Sequence, residues 1–180
     1  MGDFYDSLNP EGYLRWKEEI DCKHPQKVVE TIADPAMVPV SHDCSILDVG
    51  AGTGIVGNLL KQKGFTNIVG ADASAEFVKV AQASGAYKET RALYFGMGLD
   101  KYPEDLKNRF DLVTASCVWC PGHIPNLGFD DIYASLKTGG YFVTPICECY
   151  WQNGEKEGYK DKMDEMIRQG KFKQLSQVAF

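Results

Sequence analysis

The stretch ILDVGAGTG, residues 46–54, constrains the fold more than any other part of this chain. Strand-forming residues run into glycines at 50, 52 and 54, and a helix-periodic pattern, GIVGNLLKQKG, follows at once. A strand that turns on glycine straight into a helix is how an α/β sheet brings its backbone close to a small ligand. Asp48 stands inside that strand, where an unpaired charge is costly. It therefore needs a structural partner or a ligand.

The same alternation continues downstream. NIVGAD reads as a second strand, and SAEFVKVAQASG as a helix N-capped by Ser74 and stopped by Gly85. TRALYFG is a weaker strand, EDLKNR a short helix, and FDLVTAS a clear strand. LGFDDIYASLKTGG reads as a helix closed by paired glycines, followed by the strand YFVTPIC. A charged amphipathic helix runs to Gln169, and FKQLSQVAF is the last predicted strand. Before residue 45, EGYLRWKEEI and HPQKVVETIA have helical spacing. Strands alternating with helices at these lengths imply a doubly wound, mainly parallel sheet with helices on both faces. Residues 1–44 are expected to form an N-terminal helical cap, and residues 45–180 the ligand-binding domain.

Two ligands compete for the glycine loop. Gly52, Gly54 and Gly57 satisfy G-x-G-x-x-G, which nominates a dinucleotide, but that match starts two residues after the turn at Gly50. Asp48 argues the other way, because a carboxylate repels a pyrophosphate and attracts an ammonium group. S-adenosyl-L-methionine carries an amino group and a sulfonium and no phosphate. Asp72, at the end of the second strand, can accept both ribose hydroxyls of either ligand.

Taken together, ILDVGAGTG, VGADAS, FDLVTAS and LKTGGYFV, in this order, resemble the Rossmann-like class I S-adenosylmethionine-dependent methyltransferases from about residue 25 onward. GHIP and GYKDKMDEMIRQGKFK are similar to the Williams–Beuren-region methyltransferase-like proteins. The resemblance implies that Asp48, Gly50, Ala51, Gly52 and Gly54 surround the methionine end of the cofactor. By the same likeness Asp72 takes the ribose, Ala73 and Ser74 lie beside the adenosine, and Gly98 and Leu99 lie along the adenine. Ser116 and Cys117 would flank the methyl-donor pocket, and Tyr5 and Tyr13 would close a lid.

The chain departs from that pattern in three places. Gly98 stands where many relatives carry an acid, and Thr138 where the LKPGG turn has proline. The final antiparallel strand of the usual sheet is expected to be missing here, which leaves three readings: another chain covers the edge near the C-terminus, the sheet is shorter than usual, or this sequence is a fragment.

His123, on the loop after the fourth strand, is either a general base or a brace for its own loop. Trp119 and Trp151 wall an acceptor pocket or fill the core. Cys117, Cys120, Cys147 and Cys149 could approach one another as zinc ligands. C-x-C on a strand, however, points both thiols to one face, where a small hydrophobe serves as well. No metal is assigned.

Composition narrows the rest. The net charge of −6 over 180 residues disfavours a general nucleic-acid binder. No apolar run approaches the ~20 residues of a membrane span, and the acidic N-terminus lacks a leader pattern. Gly2 does not read as a myristoylation site, because Asp6 stands where Ser or Thr is needed. Six cysteines without a secretory signal suggest reduced thiols and a cytoplasmic setting. The expected activity is methyl transfer to an O, N or S nucleophile of an unidentified small-molecule or protein acceptor. A catalytically silent methyltransferase-like scaffold subunit is the alternative, with a nucleotide-dependent oxidoreductase behind it.

Overall fold

The structure, a computed structural model, describes Gly12 and residues 22–152 and 157–180. The expected helix over 11–20, apart from Gly12, and the lid residues Tyr5 and Tyr13 lie outside the described residues.

Five parallel strands form one sheet in the order β3-β2-β1-β4-β5. They are β1 (Ile46–Val49), β2 (Ile68–Asp72), β3 (Glu89–Ala92), β4 (Phe110–Ala115) and β5 (Leu136–Val143). The helices are α1 (His24–Ala33), α2 (Ile55–Gln62), α3 (Ala75–Ala83), α4 (Gly128–Ser135), α5 (Glu148–Gln152) and α6 (Tyr159–Arg168). A 3-10 turn, Glu104–Leu106, stands where EDLKNR predicts a short helix. Ser74 caps α3 as expected, its hydroxyl accepting from the Phe77 amide at 3.4 Å. The chain winds outward from β1 to β3, then crosses to β4 on the other side of β1. This reversal opens a crevice beyond the carboxyl ends of β1 and β4.

The period-two alternation of β1, β2 and β4 feeds two cores. Leu47, Val49, Val69, Ala71, Val113 and Ala115 face Phe129 and Ile132 of α4 and Tyr159 and Met166 of α6. Ile46, Ile68 and Leu112 face Val28, Val29 and Ile32 of α1, Val56 and Leu60 of α2, and Ala81 of α3. Helices therefore cover both faces, as the sequence pattern requires. On the second face, the residues beside Asp48 in the ladder are Gly70 and Thr114. Tyr87 sits over this row. A Cβ on Gly70 would fall 2.8 Å from its ring, and one on Gly57 would fall 2.2 Å from Tyr87 Cζ. Both glycines exist to admit that ring.

The C-terminal third departs from expectation in three places. The helix α4 stops at Ser135 rather than at the paired glycines, which lie inside β5. Leu136 pairs with Phe110 and Tyr141 with Leu112, so residues 137–140 bulge out of the ladder, with Gly139 at φ +82°. Next, β5 ends at Val143, because Pro145 cannot donate to a ladder. Cys147 and Cys149 are therefore not on a strand; Cys149 lies in α5. Finally, residues 172–180 form no strand. Their apolar residues Leu175, Val178 and Phe180 fall at spacings of three and two, are exposed, and present no single face. Phe172 alone turns back, packing on Phe142 and Tyr133 with ring centroids 6.1 and 5.6 Å away.

The packing of Tyr87 yields a prediction against ordinary helix propensity. Gly57→Ala would normally stabilise a helix by about 1 kcal/mol. Here the added methyl overlaps the Tyr87 ring, and the expected result in denaturant unfolding is a loss of about 1–3 kcal/mol. A gain would contradict the placement of Tyr87.

Candidate functional site

The glycine loop is held from below and from both sides. The amides of Gly50 and Ala51 donate to the Ala71 carbonyl at 2.8 and 3.0 Å, tying the loop to the end of β2. Gly50 has φ +69°, and a Cβ there would lie 2.2 Å from Val118 Cγ1, on the loop after β4. Only glycine meets both demands. Gly52 and Gly54 also take positive φ, and α2 begins directly after Gly54.

Asp72 fixes the loop from its third side. Its Oδ2 accepts from the Gly52 amide at 2.8 Å and its Oδ1 from the Ser74 amide at 2.9 Å. One carboxylate thus joins the glycine loop to the start of α3. Burial pushes its pKa above the usual range, against the two amides and the positive field of His123. Each oxygen retains a lone pair for a further donor. The sequence reading brings Asp72, Gly52 and Ser74 together, and the structure does the same. Ala73 lies between Asp72 and Ser74 in the chain.

Asp48 is placed differently from a simple ligand-facing carboxylate. It is 1% exposed and its Oδ2 accepts from the Tyr87 hydroxyl at 2.7 Å. That hydroxyl in turn accepts from the Gly57 amide at 3.1 Å. Burial raises Asp48 to about 7, with the Tyr87 hydrogen bond opposing and nearby Asp72 adding to the rise. Between the ordinary carboxylate range and that value, the folded chain holds a proton that the unfolded chain has released. The group therefore costs more stability as pH rises toward 7. Tyr87 was not anticipated as a site residue. The signal was present in Gly57 and Gly70, two glycines inside a helix and a strand that mark a close approach.

On the β4 side, Ser116 is buried and Cys117 follows it at φ +62°, with 3.7 Å between Oγ and Sγ. Val118 then packs on the glycine loop. His123 Nδ1 lies 2.9 Å from Cys120 Sγ, and its amide donates to the Cys120 carbonyl at 3.1 Å. The same carbonyl accepts from the Tyr159 hydroxyl at 3.2 Å. His123 is thus braced within its loop, and its protonated form favours the ionised Asp72 carboxylate. Gly98 takes φ +102°, and Leu99 beside it is 45% exposed. Trp119 belongs to the core rather than to a pocket wall. It stacks on Phe129 at 4.2 Å and donates from Nε1 to Thr144 Oγ1 at 2.7 Å. Trp151 packs against the same core.

The four cysteines considered as zinc ligands separate. Cys120 pairs with His123, and Cys147 with Cys149 at 2.8 Å between sulfurs. Cys117 turns toward Cys22 and His24 instead. A depression lined by Pro39, Asp111, Lys137 and Gly140 lies at the amino ends of the strands, opposite the glycine loop.

The residues at the crevice suit an adenosine-bearing cation. A pyrophosphate would meet Asp48 behind the loop, whereas an ammonium group is favoured there. The Thr53 hydroxyl, inside the glycine loop, is buried and has no partner among the described residues. Such an orphan is normally satisfied by water or a ligand. The loop thus carries a buried Thr53 hydroxyl without a partner among the described residues beside an Asp72 carboxylate with lone pairs to spare.

Residues 46–140 match the family described as "Methyltransferase domain". Methyltransferase-like protein 27 of Homo sapiens is 26% identical over 159 residues, covering 84% of this chain. The chain spans about six tenths of that curated relative, 61% of its length. Among solved structures, the TehB-like methyltransferase of Corynebacterium glutamicum has TM-score 0.62 at 18% identity, over 88% of this chain and 81% of that one. A chain of the Haloferax volcanii complex between the Trm112 methyltransferase activator and a methyltransferase also has TM-score 0.62, at 19% identity, over 89% and 74%. Among the described residues, no helix is long and apolar enough to cross a membrane. With more than half its length matched to that family, on the fold its members share, this chain belongs to the class I S-adenosylmethionine-dependent methyltransferases.

Proposed function

We propose that the chain binds S-adenosyl-L-methionine in the crevice above β1, β2 and β4 and transfers its methyl group to an O, N or S nucleophile. The observation that carries this reading is the Asp72 carboxylate. It is already oriented by the Gly52 and Ser74 amides and still able to accept from two ribose hydroxyls. When bound, the cofactor supplies an activated methyl on its sulfonium.

The chain's residues supply position and charge. Gly50, Ala51, Gly52 and Gly54 let the backbone approach the methionine end, with the Thr53 hydroxyl as an added donor. Asp48 acts from behind the loop as negative potential, held in place by Tyr87. Ser74 and Ala73 line the adenosine side, and Gly98 and Leu99 the adenine side. Ser116 and Cys117 border the reacting end. His123 takes a proton from the acceptor where the acceptor must lose one. Holding donor and acceptor in line in a dry crevice provides most of the acceleration.

The acceptor is a small molecule or a protein, since the charge of −6 does not favour a nucleic acid. The six cysteines, read as reduced thiols, support a cytoplasmic setting. A protein partner is supported by the Trm112 activator present in the complex of one fold neighbour, and the side of β5 left unpaired among the described residues is the place proposed for it here. A silent scaffold subunit is the reading that remains if the cofactor does not bind.

Two measurements test the site. Calorimetric titration with S-adenosyl-L-methionine and S-adenosylhomocysteine is expected to give binding, weakened at least about tenfold in Asp72→Ala by loss of charge-assisted hydrogen bonds. A folded chain that binds neither compound would leave the scaffold reading. The second is the pH dependence of that affinity. A cation favours ionised Asp48, which is held protonated up to about 7. Affinity should therefore rise with pH and level off above that value, and Asp48→Asn should flatten the profile. A flat profile in the unaltered chain would remove Asp48 from the site.

A further inference from the structure

Cys117 stands at the carboxyl end of β4 with its backbone in the left-handed region, φ +62°. Its thiol meets groups at the start of α1, whereas Cys120 in the same loop pairs with His123. Cys117 Sγ lies 3.5 Å from Cys22 Sγ and 3.6 Å from His24 Nδ1. The three ligand atoms all lie within 4.8 Å of one another, and all three residues are half-buried.

The two separations that Cys117 makes match a tetrahedral metal site, and the Cys22–His24 separation lies within 4.8 Å. With zinc–sulfur bonds of about 2.3 Å and zinc–nitrogen bonds of about 2.0–2.1 Å, two thiolates sit about 3.8 Å apart and a thiolate and an imidazole nitrogen about 3.6 Å apart. A hydrogen bond between any two of the groups would account for one distance. It would not explain why the Cys117 thiol, more than 90 residues on, meets both members of the Cys22/His24 pair. The donor set is also selective. Two soft sulfurs and one imidazole suit zinc and its thiophilic relatives, and do not suit magnesium or calcium.

The supports are rigid. His24 is the first residue of α1, followed by the buried Pro25, Val28 and Val29. Its ring meets the edge of Phe180, centroids 5.7 Å apart at 86°. Cys117 is anchored by the buried Ala115 and Ser116 before it and by Val118 and Trp119 after it. Cys22 reaches the cluster from two residues ahead of His24.

We infer that Cys22, His24 and Cys117 bind one zinc-class divalent cation with two thiolates and one imidazole, leaving a fourth position for water or an outside ligand. Binding exchanges the two thiol protons for the ion, so two protons leave to solvent for each ion taken up. The ion ties the chain ahead of α1 to the end of β4, where Ser116 and Cys117 border the proposed cofactor crevice. The C-x-H spacing at 22–24 is the sequence signal. Cys117 lies 93 residues beyond it and joins it only through the fold.

The test uses the full-length chain, reduced and stripped of metal, titrated with Co(II) and then with Zn(II). The expected result is one ion per chain, thiolate-to-cobalt charge-transfer absorption, the visible bands of tetrahedral cobalt, and displacement by zinc. Cys117→Ser, Cys22→Ser and His24→Ala should each weaken zinc binding by more than about 100-fold, beyond the range for loss of an outer-shell partner. The double variant Cys147→Ser/Cys149→Ser should keep the spectrum. Circular dichroism of each variant separates lost ligation from lost folding. Absence of the cobalt bands in the folded, unaltered chain would overturn the site. So would bands that survive Cys117→Ser and vanish in the Cys147/Cys149 variant. A Cys22–Cys117 disulfide that forms despite excess zinc would show a redox pair instead. Because the readout is metal ligation, the outcome is independent of whether S-adenosyl-L-methionine binds.

Discussion

A carboxylate with almost no contact with water lies at the centre of this fold, and the surrounding packing depends on how it is satisfied. Asp48 cannot be solvated where it stands, so the Tyr87 hydroxyl donates to it. The phenol ring needs space, and it takes that space from Gly57 in α2 and Gly70 in β2. Those two glycines draw α2 and the tyrosine close over the sheet. The Gly57 amide then completes the chain by donating to the same hydroxyl. Buried polar networks of this kind are valuable only when every member is satisfied. Here the β1 carboxylate, the α2 amide and the phenol between them are satisfied together.

A second carboxylate does related work at the surface of the crevice. Asp72 bridges the glycine loop and the first turn of α3 through two amides, so the loop is anchored before any ligand arrives. The two acids differ in what they leave available. Asp48 spends an oxygen on Tyr87 inside the fold, whereas each Asp72 oxygen keeps a lone pair beyond its amide contact. A loop fixed in this way loses little freedom on binding, which is the physical content of preorganisation.

Much of this was legible from residue order. The alternation of strands and helices from residue 45, the helix His24–Ala33 and the Ser74 cap all rest on local signals. Periodicity, capping residues and turn glycines act within a few positions of one another. The misreadings share a different cause. FKQLSQVAF has strand-forming residues, but its apolar positions do not alternate. The paired glycines at 139 and 140 read as a helix stop, although the buried Ser135, bonded to Tyr102 at 2.6 Å, is the last helical residue before them. Tyr87 as the partner of Asp48, and Cys117 as the neighbour of Cys22 and His24, depend on contacts across 39 and roughly 95 residues. No local pattern encodes such distances.

The bulge in β5 bears on how this molecule meets its neighbours. Among the described residues β5 pairs with β4 alone, so its outer side carries amides and carbonyls without a strand beside them. A regular ladder there would be a template for any extended chain, including a copy of this one. Residues 137–140 break the spacing of those groups. Lys137 adds a charge, paired with Asp111 at 2.8 Å, at the point where an incoming strand would have to register. The edge is thereby inhospitable to indiscriminate strand addition at residues 137–140.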